Sequence, residues 1–257
     1  MDEIIKKFAS DEVYYSDYSF VTNSQLGLIK RSPATYQHYR DNPSDRPITK
    51  ALNFGRAFHM CMLEHDKYEK EVVVEPDVNK RTKAGKEEYQ KFLTLHEGMT
   101  ILSHDEDESL AGMRKKLTSS VEAMELLSGG LAEQVNVWND PDSKIACKGK
   151  ADYWNKERNI LVDIKTTQDS SPDGFIKSAY KYGYDRQASF YLDGFGVDQF
   201  WFIVIEKSAP YNMAIYNCSE GFIDEGRMKY KRLLDMYSLY FIQQLFDPYE
   251  HVYTGTL

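Results

Sequence analysis

The sequence predicts an α/β fold, a central mixed sheet flanked by helices with a mainly helical portion ahead of it. Three observations carry this expectation. Residues 1–130 read mostly as helix, and at residue 131 the texture changes to short alternating segments separated by turns. A helical stretch, two further strands and a long helix follow, which is the order of a mixed sheet covered by helices.

The elements are justified in turn. In SQLGLIKRSPATYQHYRDN, Leu26, Leu28 and Ile29 precede a break at Pro33, after which a short aromatic helix begins. ALNFGRAFHMCMLEHDKYEK, residues 51–70, places apolar residues on most turns, with Gly55 as its main breaker. EVVVEPDV reads as a short strand ended by Pro76. From Arg81 to Leu127 the pattern is polar and helix-rich, and Gly129 and Gly130 stop it. LAEQVNVWND then alternates as a strand, NDPDSK turns, IACKGKADYW is a second strand, NKERN a second turn and ILVDIKTT a third strand. Connections this short make an antiparallel meander. After a loop holding Ser170, Ser171, Pro172 and Gly174, helical stretches run to about Phe195. QFWFIVIEK is a buried strand, MAIYNCS another, and EGFIDEGRMKYKRLLDMYSLYFIQQLF a long final helix. Residues 1–257 are therefore expected to form one domain, with a helical portion over 1–130 and an α/β core over 131–246.

Composition narrows the function classes. Of the 257 residues 42% are hydrophobic and 28% charged, as in an ordinary folded protein. No apolar run approaches the roughly 18 residues of a membrane span, and MDEIIKKFASDEVYYSDYSF lacks the continuous apolar core of a signal peptide. A cytoplasmic setting with no membrane partner is the expectation. Cys61, Cys147 and Cys218 are scattered without a CxxC pair, which argues against a zinc ribbon and leaves too few thiolates for an iron–sulfur cluster. The net charge of −8 does not suggest nucleic acid, although a basic groove acts locally.

The chemistry concentrates in ILVDIKTT, residues 160–167. Asp163 and Lys165 are two apart and share one face of a strand whose neighbours are apolar. Burying both is costly unless they are paired or coordinate something. A second triplet, Asp142-Ser143-Lys144, lies in a turn and reads as solvated loop. The preceding strand carries Asp152, which a hairpin can bring to Asp163. Two carboxylates with a lysine suit a hard divalent cation, with the ammonium orienting or deprotonating a water and offsetting phosphate charge. That is the composition of metal-assisted phosphodiester hydrolysis. The plain alternative is a buried Asp–Lys ion pair, which Asp152 disfavours because two acids then face one base.

Four short motifs occur in order: GRAFH (Gly55–His59), GKAD (Gly149–Asp152), DIK (Asp163–Lys165) and QASFY (Gln187–Tyr191). Together they resemble the PD-(D/E)xK nuclease superfamily, specifically its RecB-like branch, and are most similar to the RecE (exodeoxyribonuclease VIII) nuclease domain. TNSQLGLIKRSPATYQHYRDNP and LAEQVNVW add to the likeness, which spans about residues 20–245. The resemblance implies a restriction-endonuclease-like core. It implies that Asp152 and Asp163 bind metal with the Ile164 backbone carbonyl, that His59 adds a ligand, and that Lys165 activates water. Glu133 resembles a further acid at the start of the first sheet strand, its plain alternative being an exposed edge glutamate. For His59 the plain alternative is a satisfied core histidine. Gln187 and Tyr191, four apart on one helix face, would stand beside the lysine and the DNA backbone. Thr166 and Thr167 could bond phosphate or simply suit a strand.

The activity implied is a magnesium-dependent exonuclease, with Mn2+ substituting and no iron–sulfur cluster. It would degrade one strand of linear double-stranded DNA 5′ to 3′ and leave 3′ tails for recombination by strand annealing. The expected partners are linear duplex DNA, a single-strand annealing protein, and further copies of the chain in a homo-oligomeric ring, in a bacterial or phage setting. Lys148, Lys150, Lys177, Lys181 and Arg186 are the expected DNA contacts. The alternatives are an endonuclease or single-strand exonuclease on the same core and, in another class, a non-catalytic DNA-binding or assembly protein.

Overall fold

The structure, a computed structural model, describes residues 2–8 and 10–252. The helices ahead of the sheet are α1 (Asp2–Lys7), α2 (Asp11–Ser16), α3 (Asn23–Arg31), α4 (Pro33–Asp41), α5 (Lys50–Leu63) and α6 (His65–Glu71). Then come β1 (Val72–Val74), α7 (Lys83–Leu95), β2 (Thr100–Leu102), α8 (His104–Thr118) and α9 (Val121–Leu126). The core holds β3 (Leu131–Asn139), β4 (Ala146–Asn155), β5 (Ile160–Thr167), α10 (Pro172–Tyr182), α11 (Tyr184–Phe195), β6 (Gln199–Glu206), β7 (Met213–Asn217) and α12 (Glu220–Tyr237). The sequence chooses most helix starts through its caps. Thr22 and Ser103 each close a capping box, and the Thr49 and Ser171 side chains accept N–H bonds from the first turns of α5 and α10.

The strands form one mixed sheet in the order β3-β4-β5-β6-β7. Within this sheet only β5 and β6 run parallel, and the chain between them passes through α10 and α11. This is the α/β architecture expected from the sequence, a mixed sheet flanked by helices. Alternation along β5 and β6 assigns two faces. Val162, Ile164, Ile203 and Ile205 pack with Phe54, Phe58 and Cys61 of α5 and Met113 of α8. Leu161, Phe200, Phe202 and Val204 pack with Phe175 of α10, Ala188 of α11 and Ile223 of α12.

Two expectations are corrected. The final helix stops at Tyr237 and widens into a π-helical turn over Ser238–Ile242, where Tyr36 of α4 stacks edge-on against both Tyr237 and Phe241. Within the stretch read as helical from Arg81 to Leu127, Thr100–Leu102 instead pairs parallel with Val72–Val74 as a small separate sheet. A three-residue strand is too short to show a period. Among the described residues no helix is long and apolar enough to cross a membrane.

Candidate active site

The β4–β5 ladder is the origin of the site. It pairs Asn155 with Ile160, Trp154 with Leu161 and Tyr153 with Val162, then stops. One step further, where Asp152 would face Asp163, the strands part, while β5 stays bonded to β6 along its length. The Ile164 N–H thereby loses a strand partner, and the Asp152 carboxylate replaces it, accepting at Oδ2 over 3.0 Å. The notch between β4 and β5 joins the two faces of the sheet. His59 of α5 reaches it from one side and α11 covers the other.

Three metal-type donors converge there. One ligand atom each of His59, Glu133 and Asp152 lies within 4.8 Å of the others. His59 Nδ1 is 3.3 Å from Asp152 Oδ2. Burial, and then the Lys165 charge, lower the His59 pKa, so the neutral ring is favoured and keeps a lone pair for a cation. Glu133 reaches the site through a backbone irregularity. The β3–β4 ladder pairs Ala132 with Tyr153 and Gln134 with Ala151 but omits the step between them, where Glu133 has φ 52°. A non-glycine residue in the left-handed region costs about 1–3 kcal/mol, a strain that collects at functional positions.

Asp163 and Lys165 stand beside this cluster. Asp163 is 2% exposed; its Oδ1 accepts from Gln187 Nε2 at 2.6 Å, and its Oδ2 is 2.6 Å from Lys165 Nζ without receiving a directed hydrogen bond. Burial first, and then the Asp152 charge, push the Asp163 carboxyl up to about 6. The Glu133 and Asp152 carboxyls are raised as well, each chiefly by burial. Lys165 is held charged: burial opposes its ammonium, but Asp163 and Asp152 outweigh this and raise its pKa. The Tyr184 ring lies 5.0 Å from Lys165 Nζ.

The charges do not balance. Lys150 bridges Glu133 Oε2 at 2.6 Å and Asp11 Oδ1 at 2.7 Å. Asp11 is also paired with Lys67, so counting Asp152 and Asp163, four carboxylates face the three ammonium groups of Lys67, Lys150 and Lys165, which leaves one carboxylate in surplus. A buried surplus of negative charge is expensive unless a cation offsets it. The raised acid pKa values, the undirected Asp163 Oδ2 and a His–Glu–Asp donor set all fit a hard divalent ion.

The remaining sequence candidates separate. Tyr191, one turn beyond Gln187, packs on β4: a Cβ at Gly149 would lie 2.9 Å from its Cε1, which is the steric reason for the glycine in GKAD. Gly55 in GRAFH has no such neighbour. The Thr167 hydroxyl donates to the Asp169 carbonyl at 3.1 Å. Three expected DNA contacts are corrected. Lys148 is fully buried and donates to the Tyr14 and Asp17 carbonyls at 2.6 and 2.7 Å. Arg186 is buried, and its Nε donates to Asn23 Oδ1 at 2.8 Å, clasping α11 to α3. Lys150 is held inward by Glu133 and Asp11. Lys177 and Lys181, on α10, are exposed. Two participants were not anticipated. Asp11 reaches Lys150 across 139 positions, which no local pattern announces. Tyr184 lies three residues before Gln187, a helical spacing that could have been read.

No curated protein matches the chain. A candidate exonuclease from Eubacterium rectale aligns with TM-score 0.65 at 11% identity, over 98% of this chain and 94% of its own, which shows a common fold. An alkaline exonuclease from Laribacter hongkongensis aligns at TM-score 0.39 and 11% identity, over 92% of this chain and 98% of its own. A phage-related exonuclease from Haemophilus somnus aligns at TM-score 0.33 and 16% identity, over 67% and 91%. With residues 22–245 matching the family described as a PDDEXK-like domain of unknown function (DUF3799), the chain belongs to that PDDEXK-like family.

Proposed function

We propose that the protein is a magnesium-dependent exonuclease that degrades one strand of linear double-stranded DNA from its 5′ end and leaves 3′ single-stranded tails. The observation that carries this reading is the surplus of buried carboxylates at the β4–β5 notch, next to a lysine held charged. Membership of the PDDEXK-like family and the fold shared with the Eubacterium rectale protein support it.

His59, Glu133, Asp152, Asp163 and the Ile164 carbonyl are the groups that would hold the ion. When bound, a divalent ion supplies Lewis-acid polarisation of the scissile phosphate and offsets the surplus negative charge. Lys165 keeps its proton beside Asp163, so it acts as a positioned cation. It donates to the attacking water or to a non-bridging phosphate oxygen, where negative charge develops. Gln187 holds Asp163 in place through Oδ1, leaving Oδ2 turned to Lys165 and to a ligand. Tyr191 and Gly149 keep α11 close to β4, so the Gln187 contact is set by packing.

Mn2+ is expected to replace Mg2+ at an oxygen-and-imidazole site of this kind. Assembly into a ring around DNA and cooperation with a single-strand annealing protein belong to the same reading. The test uses linear duplex DNA labelled at either the 5′ or the 3′ end, with closed circular duplex as control, in Mg2+ or EDTA. Loss from 5′ ends in Mg2+ alone, with circles intact, is the expected result. Cleaved circles would make the protein an endonuclease, and release from 3′ ends would reverse the polarity.

A further inference from the structure

An open cavity of about 180 Å³ lies where the first turns of α5 and α8 meet the end of β6. Lys50, Ala51, Phe54, Glu106, Ser109 and Lys207 line it. Lys207 directly follows β6, and its N–H donates to the carbonyl of Thr167, the last residue of β5, at 3.1 Å. Lys207 is half-buried, its ammonium lies 5.6 Å from the Phe54 ring, and burial alone lowers its pKa. Other part-buried lysines face a carboxylate: Lys67, Lys150, Lys165 and Lys231 each have one at 2.5–2.7 Å. Lys207 differs, because among the described residues no carboxylate pairs with it. Lys50, at the rim, has none either. Glu106 is committed elsewhere, its Oε2 accepting from the Ser103 N–H at 2.9 Å and the Ser103 hydroxyl at 3.0 Å. In a chain of net charge −8, the half-buried ammonium-bearing side chain of Lys207 without a carboxylate partner, with the exposed Lys50 beside it, marks a place for an external anion.

The cavity adjoins the candidate active site along two routes. Phe54 precedes His59 by five residues of α5, or about 7–8 Å of helix, and Lys50 by about 13–14 Å. Thr167 follows Lys165 by two residues of β5, or about 7 Å. A strand of duplex DNA rises about 3.4 Å per nucleotide, so these distances span roughly two to four nucleotides. We propose that this cavity is a phosphate subsite, in which Lys207, with Lys50 at the rim, takes a backbone phosphate of the DNA a few nucleotides from the cleaved bond. The proposal rests on the nuclease reading for the identity of its ligand.

The first test needs no variant. Wild-type protein is treated with an amine-acetylating reagent in Ca2+, alone or with a short linear duplex, inorganic phosphate or a mononucleotide, and modification at each lysine is read by mass spectrometry. The duplex is expected to lower modification of Lys207 severalfold while exposed Lys83 is unchanged. Unchanged Lys207 labelling overturns the subsite. Protection by inorganic phosphate or mononucleotide as strong as by duplex at equal concentration overturns the strand assignment. The second test is duplex affinity against salt concentration. Lys207→Met is expected to weaken binding by about 3–10-fold and to reduce the salt slope by about one, with Lys207→Arg retaining both. Wild-type affinity and slope in Lys207→Met overturn the proposal. Cleavage is scored separately. A protein whose Lys207 is protected by duplex that it does not cut in Mg2+ keeps the subsite and loses the nuclease reading. One that cuts duplex with Lys207 unprotected does the reverse.

Discussion

At the scale of single residues, buried charge dominates. Asp163 has an ordinary carboxyl pKa of 3.8 raised to about 6 in the fold. A raised acid binds its proton more tightly when folded, so its contribution to stability is present at low pH and is lost as pH climbs from about 4 to about 6. Asp163→Asn removes that titration. Relative to wild type without metal, the variant should therefore gain stability across this window, approaching about 3 kcal/mol above it. Chemical denaturation at a series of pH values measures the difference; a pH-independent difference contradicts the burial argument. Lys148 makes the opposite kind of case. Its ammonium, lowered to about 8 by burial, holds the carbonyls that end α2. Lys148→Met should cost about 1–3 kcal/mol by leaving those carbonyls unpaired. It should leave the salt slope of DNA binding unchanged, because this lysine does not face a phosphate. A lower slope would restore it as a DNA contact.

At the scale of elements, period-2 and turn signals made the meander legible, and the shared face of Asp163 and Lys165 followed from two-residue spacing alone. What stayed hidden was set by tertiary contact. The parting of β4 from β5 after Tyr153–Val162, and the left-handed φ of Glu133, are backbone events with no side-chain signature. Lys148 and Arg186 were misread because proximity to the motifs in sequence was taken as exposure, whereas carbonyls of α2 and Asn23 of α3 draw both inward. Packing of α11 on α12 is testable at one atom. A Cβ at Gly226 would fall 2.1 Å from the Asp185 carbonyl oxygen, a backbone atom that cannot rotate away. Gly226→Ala should separate the two helices and destabilise the protein by about 1–3 kcal/mol. Thermal unfolding decides this, and an unchanged midpoint would mean that α12 shifts freely.

At the scale of the whole molecule, an acidic chain holds a local excess of carboxylates at the notch and, at the neighbouring cavity, the ammonium groups of Lys50 and Lys207, which have no carboxylate partner among the described residues. The composition reports only the sum of these, which is why net charge alone pointed away from DNA. A divalent ion that neutralises the notch should stabilise the fold by mass action, adding about 2.7 kcal/mol at a concentration one hundred times its dissociation constant. Asp152→Asn should largely remove that gain; a full Mg2+-dependent shift in this variant would place the ion elsewhere. The central claim is that Lys165 works beside a metal held by these acids. Its most direct measurement compares wild type with Lys165→Ala for cleavage of labelled linear duplex in Mg2+, with Mg2+-dependent stabilisation recorded for both. The account predicts that the variant folds and keeps much of its Mg2+ response but cuts about 10²–10⁴-fold more slowly. Wild-type cleavage by Lys165→Ala would contradict it.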